Sequence, residues 1–177
     1  MARTFSADEV REVLNELVQR LAARGDTALI YVIGGAAVAL ENPQRTATQD
    51  IDGFIRSTDA TEIIETIQRE RGLDAQWFNW RAQGLLPPIG GPEMWHEVLR
   101  DNEVVLYAAN TDALLAMKLH AARARDTEDI TYLLRACAIA TLEGAEMVYE
   151  GHYPGEALSD TAIARVQYSL GLRDSHT

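Results

Sequence analysis

"IGGAAVALENPQRTATQDIDGFI", residues 33–55, decides how this chain is read. The apolar run "ALIYVI" (28–33) leads straight into Gly34 and Gly35, and fifteen residues past Gly35 two aspartates, Asp50 and Asp52, stand one residue apart in otherwise apolar surroundings. A buried strand does not hold such a pair without a partner for the charges.

The run 28–33 is β-rich and apolar on both faces, as expected of a strand inside a sheet. Gly34-Gly35 ends it and "AAVALE" restarts as a short helix. "NPQRTATQ" is polar and contains Pro43, so it reads as a loop, and "DIDGFI" alternates as a second strand. On a strand, Asp50 and Asp52 at i and i+2 point to one face while Ile51 points to the other. Two carboxylates held that close repel unless a positive charge sits between them. A divalent cation that prefers oxygen resolves the conflict, and Mg²⁺ would bring phosphates with it. Gly34 and Gly35, lacking Cβ atoms, let the backbone turn tightly and let a phosphate approach the amides that open the next helix. Arg45, Thr46 and Thr48 offer a guanidinium and hydroxyls for triphosphate oxygens or for orienting the carboxylates. Taken singly, each feature has a plain explanation: a Gly-Gly after a strand is commonly a turn, and Asp-x-Asp is short and common. The conjunction in one order carries the reading.

Outward from this stretch, Ser6-Ala7-Asp8-Glu9 matches a capping box ahead of an amphipathic helix ending near Gly25. Ser57-Thr58-Asp59 precedes a helix closed by Gly72. The middle, "LDAQWFNWRAQGLLPPIGGPEMWHEVL", is punctuated as loop yet holds three tryptophans that argue for burial; Trp77, Phe78 and Trp80 suit either core packing or base stacking. "EVVLYAA" (103–109) reads as a third strand. Helical patterns follow from residue 112, from Asp126, and on either side of Pro154-Gly155. The expected class is α+β: a small mixed sheet with flanking helices and a C-terminal helical portion. Residues 1–137 form the core and 138–177 pack on it as helices, within a single domain.

The bulk numbers fit. A chain of 177 residues, 47% hydrophobic and 24% charged, is an ordinary globular one. The lone Cys137 cannot pair within the chain, the N-terminus has no apolar stretch behind Arg3, and the longest apolar run falls well short of the ~20 residues of a membrane helix. These features lead us to expect a cytoplasmic protein without a membrane partner. A net charge of -11 opposes non-specific attraction to polyanions, so a nucleic-acid partner needs a local basic patch. The four histidines show no metal-ligand spacing, and His120 reads as a partly buried helix residue.

"GGAAVAL....QRTATQDID" resembles the signature of the DNA polymerase β-like nucleotidyltransferase superfamily, in which a GG or GS turn precedes a D-x-D metal-binding strand. "LLAMKLHAARARDTEDITYLL" is similar to the Lys-helix and Arg-Asp region of nucleotidyltransferase-like proteins of the AbiEii toxin type, and "WFNWRAQG" to a Trp-x-Asn segment of related members. The resemblance covers roughly residues 28–135 and implies a nucleotidyltransferase fold with Mg²⁺ or Mn²⁺ on Asp50 and Asp52 and phosphates on Gly34 and Gly35. It also implies that Lys118 contacts the triphosphate, with Arg125, Asp126 and Asp129 near the same cleft; Lys118 and Arg125, seven apart, share a face if their helix is continuous. Without the resemblance, Asp126 and Asp129 read as a helix cap and a first-turn acid, and Lys118 as a snorkelling lysine. The activity implied is transfer of a nucleotide from an NTP to an acceptor hydroxyl. The acceptor is tRNA in a toxin paired with a cognate antitoxin protein, or else a small molecule or protein; a degenerate nucleotide-binding module is the third option. Two departures stand out. Many active members carry a third carboxylate on a later strand, and "VVLYAA" has none; Arg45 lies one residue farther from Asp50 than an Arg-x-Thr-x-Asp pattern places it.

Overall fold

The computed structural model describes residues 4–42 and 47–172. The chain divides into two compact units, Met1–Gly84 with Trp95–Ala109, and Leu85–Met94 with Asn110–Thr177.

In the first unit, Ser6 opens helix α1 (Ala7–Arg24) with the expected capping box: its hydroxyl accepts from the Glu9 amide while the Glu9 carboxylate accepts from the Ser6 amide. Gly25 closes the helix at φ +84°. Val10, Val13, Leu14, Leu17, Val18 and Leu21 are all buried, each stabilising by about 1.5–3 kcal/mol relative to exposure. Strand β1 (Ala28–Val32) follows, then α2 (Gly34–Glu41), β2 (Ile51–Arg56) and α3 (Thr61–Arg71), which the Asp59 carboxylate caps by accepting from the Thr61 amide.

The region from Asp74 to Leu99 resolves into elements that periodicity does not show. Trp77 is buried and donates its indole N–H to the Ile64 carbonyl, Phe78 and Asn79 form a two-residue strand β3, and Trp80 is 53% exposed. Core packing is therefore the role of Trp77 and Phe78. Trp95–Asp101 is strand β4, joined to β5 (Val104–Ala109) by a turn with Asn102 at φ +50°. The expected third strand is thus the fifth.

These strands make one sheet in the order β3-β2-β1-β5-β4. β1 lies centrally, antiparallel to β2 and parallel to β5, which is why its sequence is apolar on both faces. β3 and β4 are the two edges, and β4 is blunted by a register irregularity between Glu97 and Leu99 and by exposed Glu97 and Arg100. α1 and α2 lie on the face bearing Ile30, Val32 and Ala108: Arg11 of α1 bonds the Leu40 carbonyl of α2, and Glu41 at the end of α2 pairs with His96 at 2.7 Å, a residue level with Ala108. The opposite face carries Asp52, Phe54, Tyr31 and Tyr107.

The second unit is helical: α4 (Thr111–Ala121), α5 (Thr127–Ala136), α6 (Leu142–His152) and α7 (Asp160–Ser169). α4 is buried from Ala113 to Leu119, Lys118 included, with α5 and α6 packed on it and α7 on α5. Thr141 and Ser159 cap α6 and α7. His120 stacks on Tyr153 with ring centroids 4.4 Å apart and planes within 4°, and its Nδ1 meets the Tyr149 hydroxyl at 3.0 Å. Among the described residues no helix is long and apolar enough to cross a membrane. Seven helices and a five-stranded mixed sheet make the described residues the α+β protein expected from the sequence.

Candidate active site

The Gly-Gly turn and the aspartates meet at one end of the sheet. Gly34 takes a left-handed φ of +64°, which an L side chain adopts only with strain, and a Cβ built there would lie 2.7 Å from Oδ2 of Asp52. The absent Cβ is thus the space the Asp52 carboxylate occupies. Gly34 is also the first residue of α2, whose N-cap position is Ile33, a residue without a capping group, and whose first turn holds no acid. Asp52, delivered by the next strand, places its negative charge at the positive end of that helix. The Ile33 amide donates to the Asp52 carbonyl at 2.9 Å, fixing β1 against β2 at this level.

Asp50 lies one residue before β2, in a bend rather than in the strand itself. Two neighbours hold it. The Asn79 side-chain amide donates to its Oδ2 at 2.9 Å, and the Thr48 hydroxyl donates to its backbone carbonyl at 3.1 Å. Asn79 is buried and saturated: Nδ2 also reaches the Gln76 carbonyl, and Oδ1 accepts from the Arg81 amide at 3.0 Å. Each amide atom thereby has a partner of the right kind, which fixes its orientation. Thr48, offered for triphosphate oxygens or for orienting the carboxylates, has its hydroxyl on the turn that carries Asp50. Arg45 and Thr46 lie outside the described residues, as does His176.

Asn79 is the residue sequence reasoning passed over. It sits in register with Asp52 on β3, the strand beside β2, whereas the "VVLYAA" strand in which a third acid was sought pairs with β1. The place next to the aspartates is filled by a neutral amide. Its signal in the sequence is the Trp-x-Asn segment, Trp77 to Asn79.

Lys118 belongs to the helical unit. It is 9% exposed, and its Nζ lies 2.6 Å from Asp126 Oδ1 and 2.9 Å from Asp129 Oδ2, both carboxylates being buried. Asp126 occupies the N-cap position of α5 but makes no side-chain cap bond, because its carboxylate is turned to the lysine. The snorkelling reading of Lys118 is replaced by a buried ion triad. The premise of a continuous helix through Arg125 also fails: Ala122 ends α4 at φ +45°, and Arg125 lies exposed in a separate 3-10 turn, so the seven-residue spacing places nothing on a shared face.

A family model described as "Nucleotidyltransferase of unknown function (DUF6036)" matches residues 9–143. The chain belongs to this family. The matched span of the DUF6036 nucleotidyltransferases runs from α1 into α6, and so takes in the Gly34 turn, Asp50, Asp52, Asn79 and the Lys118 triad. It identifies a nucleotidyltransferase family without reaching the AbiEii type. No curated protein and no solved structure matches the chain.

The donor set suits a hard divalent cation. Asp50 and Asp52 offer carboxylate oxygens only, one braced by an amide and the other seated where a glycine leaves room. Among the described residues no three His, Cys, Asp or Glu converge as ligands. Mg²⁺ is the ion that binds through one or two carboxylates and draws its remaining ligands from phosphates and water.

Proposed function

We propose that the protein is a Mg²⁺-dependent nucleotidyltransferase that moves a nucleoside monophosphate from an NTP to an acceptor hydroxyl. The observation that carries this reading is the fit of the Asp52 carboxylate against Gly34, which sets the glycine turn against one aspartate of the D-x-D pair. In the reaction the acceptor oxygen bonds to the α-phosphorus, the bond to the bridging oxygen of the β-phosphate breaks, and pyrophosphate leaves with that electron pair while the hydroxyl proton passes to solvent. Asp50 and Asp52 would hold Mg²⁺ or Mn²⁺, which would supply neutralisation of the phosphate charge. The chain's own part is positioning: Asn79 and Thr48 hold Asp50, and Gly34 leaves room for the Asp52 carboxylate at the opening of α2.

For the acceptor, we take the 3′ end of tRNA, in a toxin paired with an antitoxin protein, as the first assignment, on the AbiEii-like sequence of α4 and α5. The net charge of -11 makes a cationic small molecule or a protein hydroxyl the alternative. Asn79 favours one further reading. With an amide where a third carboxylate could stand beside Asp52, the site could bind Mg²⁺-NTP without turning it over.

The test is label transfer from each α-labelled NTP, with Mg²⁺, to total RNA, protein and metabolite fractions, comparing wild type with Asp50→Asn and Asp52→Asn. Label in one fraction, lost in both variants, is expected and names the acceptor class. Transfer undiminished in both variants would refute the site. NTP binding without transfer selects the non-catalytic module.

A further inference from the structure

Asp52 lies in a row that crosses the whole sheet. It is paired with Asn79 of β3 on one side; its carbonyl accepts from Ile33, one residue beyond the Val32–Gly53 pair; and Val32 is level with Ala108 of β5. Continuing one residue, Ile33 is level with Ala109, which pairs with Trp95, the first residue of β4. Trp95 is therefore the aromatic residue at the level of the carboxylates, at the far side of the sheet.

Its indole does not stay there. Ala109, between Trp95 and β1, is too small to block it, and the ring reaches back to within 4.8 Å of the Tyr31 centroid and 6.0 Å of Phe54. Tyr31 and Phe54 share the face of Asp52, Phe54 being two residues along the same strand. The faces of Tyr31 are taken. Tyr31 is stacked between Phe54 at 4.8 Å and Tyr107 at 5.4 Å, and Arg56 lies over both Tyr31 and Phe54 at about 5.5 Å. Trp95 stands crosswise to this file, at 69° to Tyr31 and 83° to Phe54, and is only half-buried. Its ring thus sits against β1 and β2 with part of its surface in solvent, on the face of the sheet where Asp52 projects. β4 lies three strand spacings, about 14 Å, from β2, and the reach of the ring back to Tyr31 and Phe54 shortens that span.

We infer that Trp95 is the platform on which the base of the incoming nucleoside triphosphate stacks, its triphosphate extending along the sheet end to Asp50, Asp52 and the opening of α2. The inference rests on the nucleotide site proposed above and assigns it a base subsite. Stacking tolerates any base, because every base has a π-face, so the platform contributes affinity for nucleotides over bare phosphate chains rather than selection among the four.

The test is calorimetric titration of wild type, Trp95→Ala and Trp95→Phe with each Mg²⁺-NTP, with Mg²⁺-tripolyphosphate, which has no base, and with a single-stranded oligoribonucleotide. Wild type should bind NTP more tightly than tripolyphosphate. Trp95→Ala should weaken NTP binding roughly 5- to 150-fold while leaving tripolyphosphate unchanged, and Trp95→Phe should retain most of the affinity. Equal weakening of both ligands, or NTP affinity unchanged in folded Trp95→Ala, overturns the platform. Loss confined to the oligoribonucleotide assigns Trp95 to an acceptor and also overturns it. Wild type that binds NTP no better than tripolyphosphate refutes the base subsite and leaves the phosphate site standing; wild type that binds neither refutes both. Should Trp95→Ala fail to fold, photo-crosslinking of wild type with a base-azido NTP decides: label on the Trp95 peptide supports the platform, and label only elsewhere refutes it.

Discussion

Replacing Gly34 by alanine adds one methyl group and tests the centre of the site. Two effects are separable. The left-handed backbone at φ +64° would strain any L residue by about 1–2 kcal/mol, a loss of roughly 2–8 °C in melting temperature for a chain of this size. The new Cβ would also lie 2.7 Å from Asp52 Oδ2, where ordinary contact begins near 3.4 Å, so the carboxylate must retreat by about 0.7 Å. Misplacement near 1 Å costs on the order of 10²-fold in a positioned reaction, and we expect Mg²⁺-NTP binding or transfer to fall roughly 10- to 100-fold. Gly72 supplies the control: its φ is +61°, yet a Cβ there meets nothing within 4 Å. Gly72→Ala should melt lower by a similar amount with nucleotide binding and transfer intact. Thermal melts and Mg²⁺-NTP titrations on the two variants suffice. If Gly34→Ala binds and transfers like Gly72→Ala, the close approach of Gly34 to Asp52 has no functional meaning and the site reasoning fails.

Asn79→Ala removes a donor to a carboxylate and should destabilise by about 1.5–3 kcal/mol; Asn79→Asp should be unstable without metal but gain more melting temperature from added Mg²⁺ or Mn²⁺ than wild type, and equal gains would show that no metal sits beside it. Lys118→Met leaves Asp126 and Asp129 buried without their cation, and urea unfolding should report a loss of about 3–5 kcal/mol; a loss under 1 kcal/mol would show the triad to be energetically idle. Burial is the leading cause that raises Tyr153, Tyr149 and Cys137 above their ordinary values, so the folded state holds these protons more tightly than the unfolded chain. The stability they contribute is full below the unfolded values and declines as pH rises, from near 8.5 for the thiol and near 10 for the phenols. Unfolding free energy flat across that range would contradict the burial. The same shift predicts slower alkylation of Cys137 than of free cysteine near neutral pH, since the thiolate is the reactive form.

Much of this was legible from local chemistry. The capping box of α1, the doubly apolar β1 and the helix-closing glycines all depend on neighbours in sequence, and each appears where its residues placed it; the helix after β1 opens at Gly34 itself, and Asp50 stands in a bend ahead of β2. What escaped depends on distant partners. A two-residue strand has no periodicity, so Asn79 acquires meaning only through its register with Asp52. β4 hid behind the Pro and Gly punctuation before Trp95, and its edge position replaces clean alternation with half-exposed residues. Helix α4 stops at Ala122 in a left-handed conformation with neither Gly nor Pro to announce it, so the Lys118 to Arg125 spacing looked helical. Lys118 itself could not be told from a snorkelling lysine until α5 brought Asp126 and Asp129 to it.

The parallel pairing of β1 with β5 bears on how the chain is made. Ala28 finds its partner only at Val104, and the first unit takes up Trp95–Ala109 after the chain has visited the second unit at Leu85–Met94. During synthesis the central strand therefore waits with one edge unpaired until Ala109 has left the ribosome. A fragment ending at Gly84 lacks both β4 and β5 and turns the middle of the sheet into a bare, apolar border, the kind of edge that recruits other chains. Truncations of this protein should be cut after Ala109 or not at all.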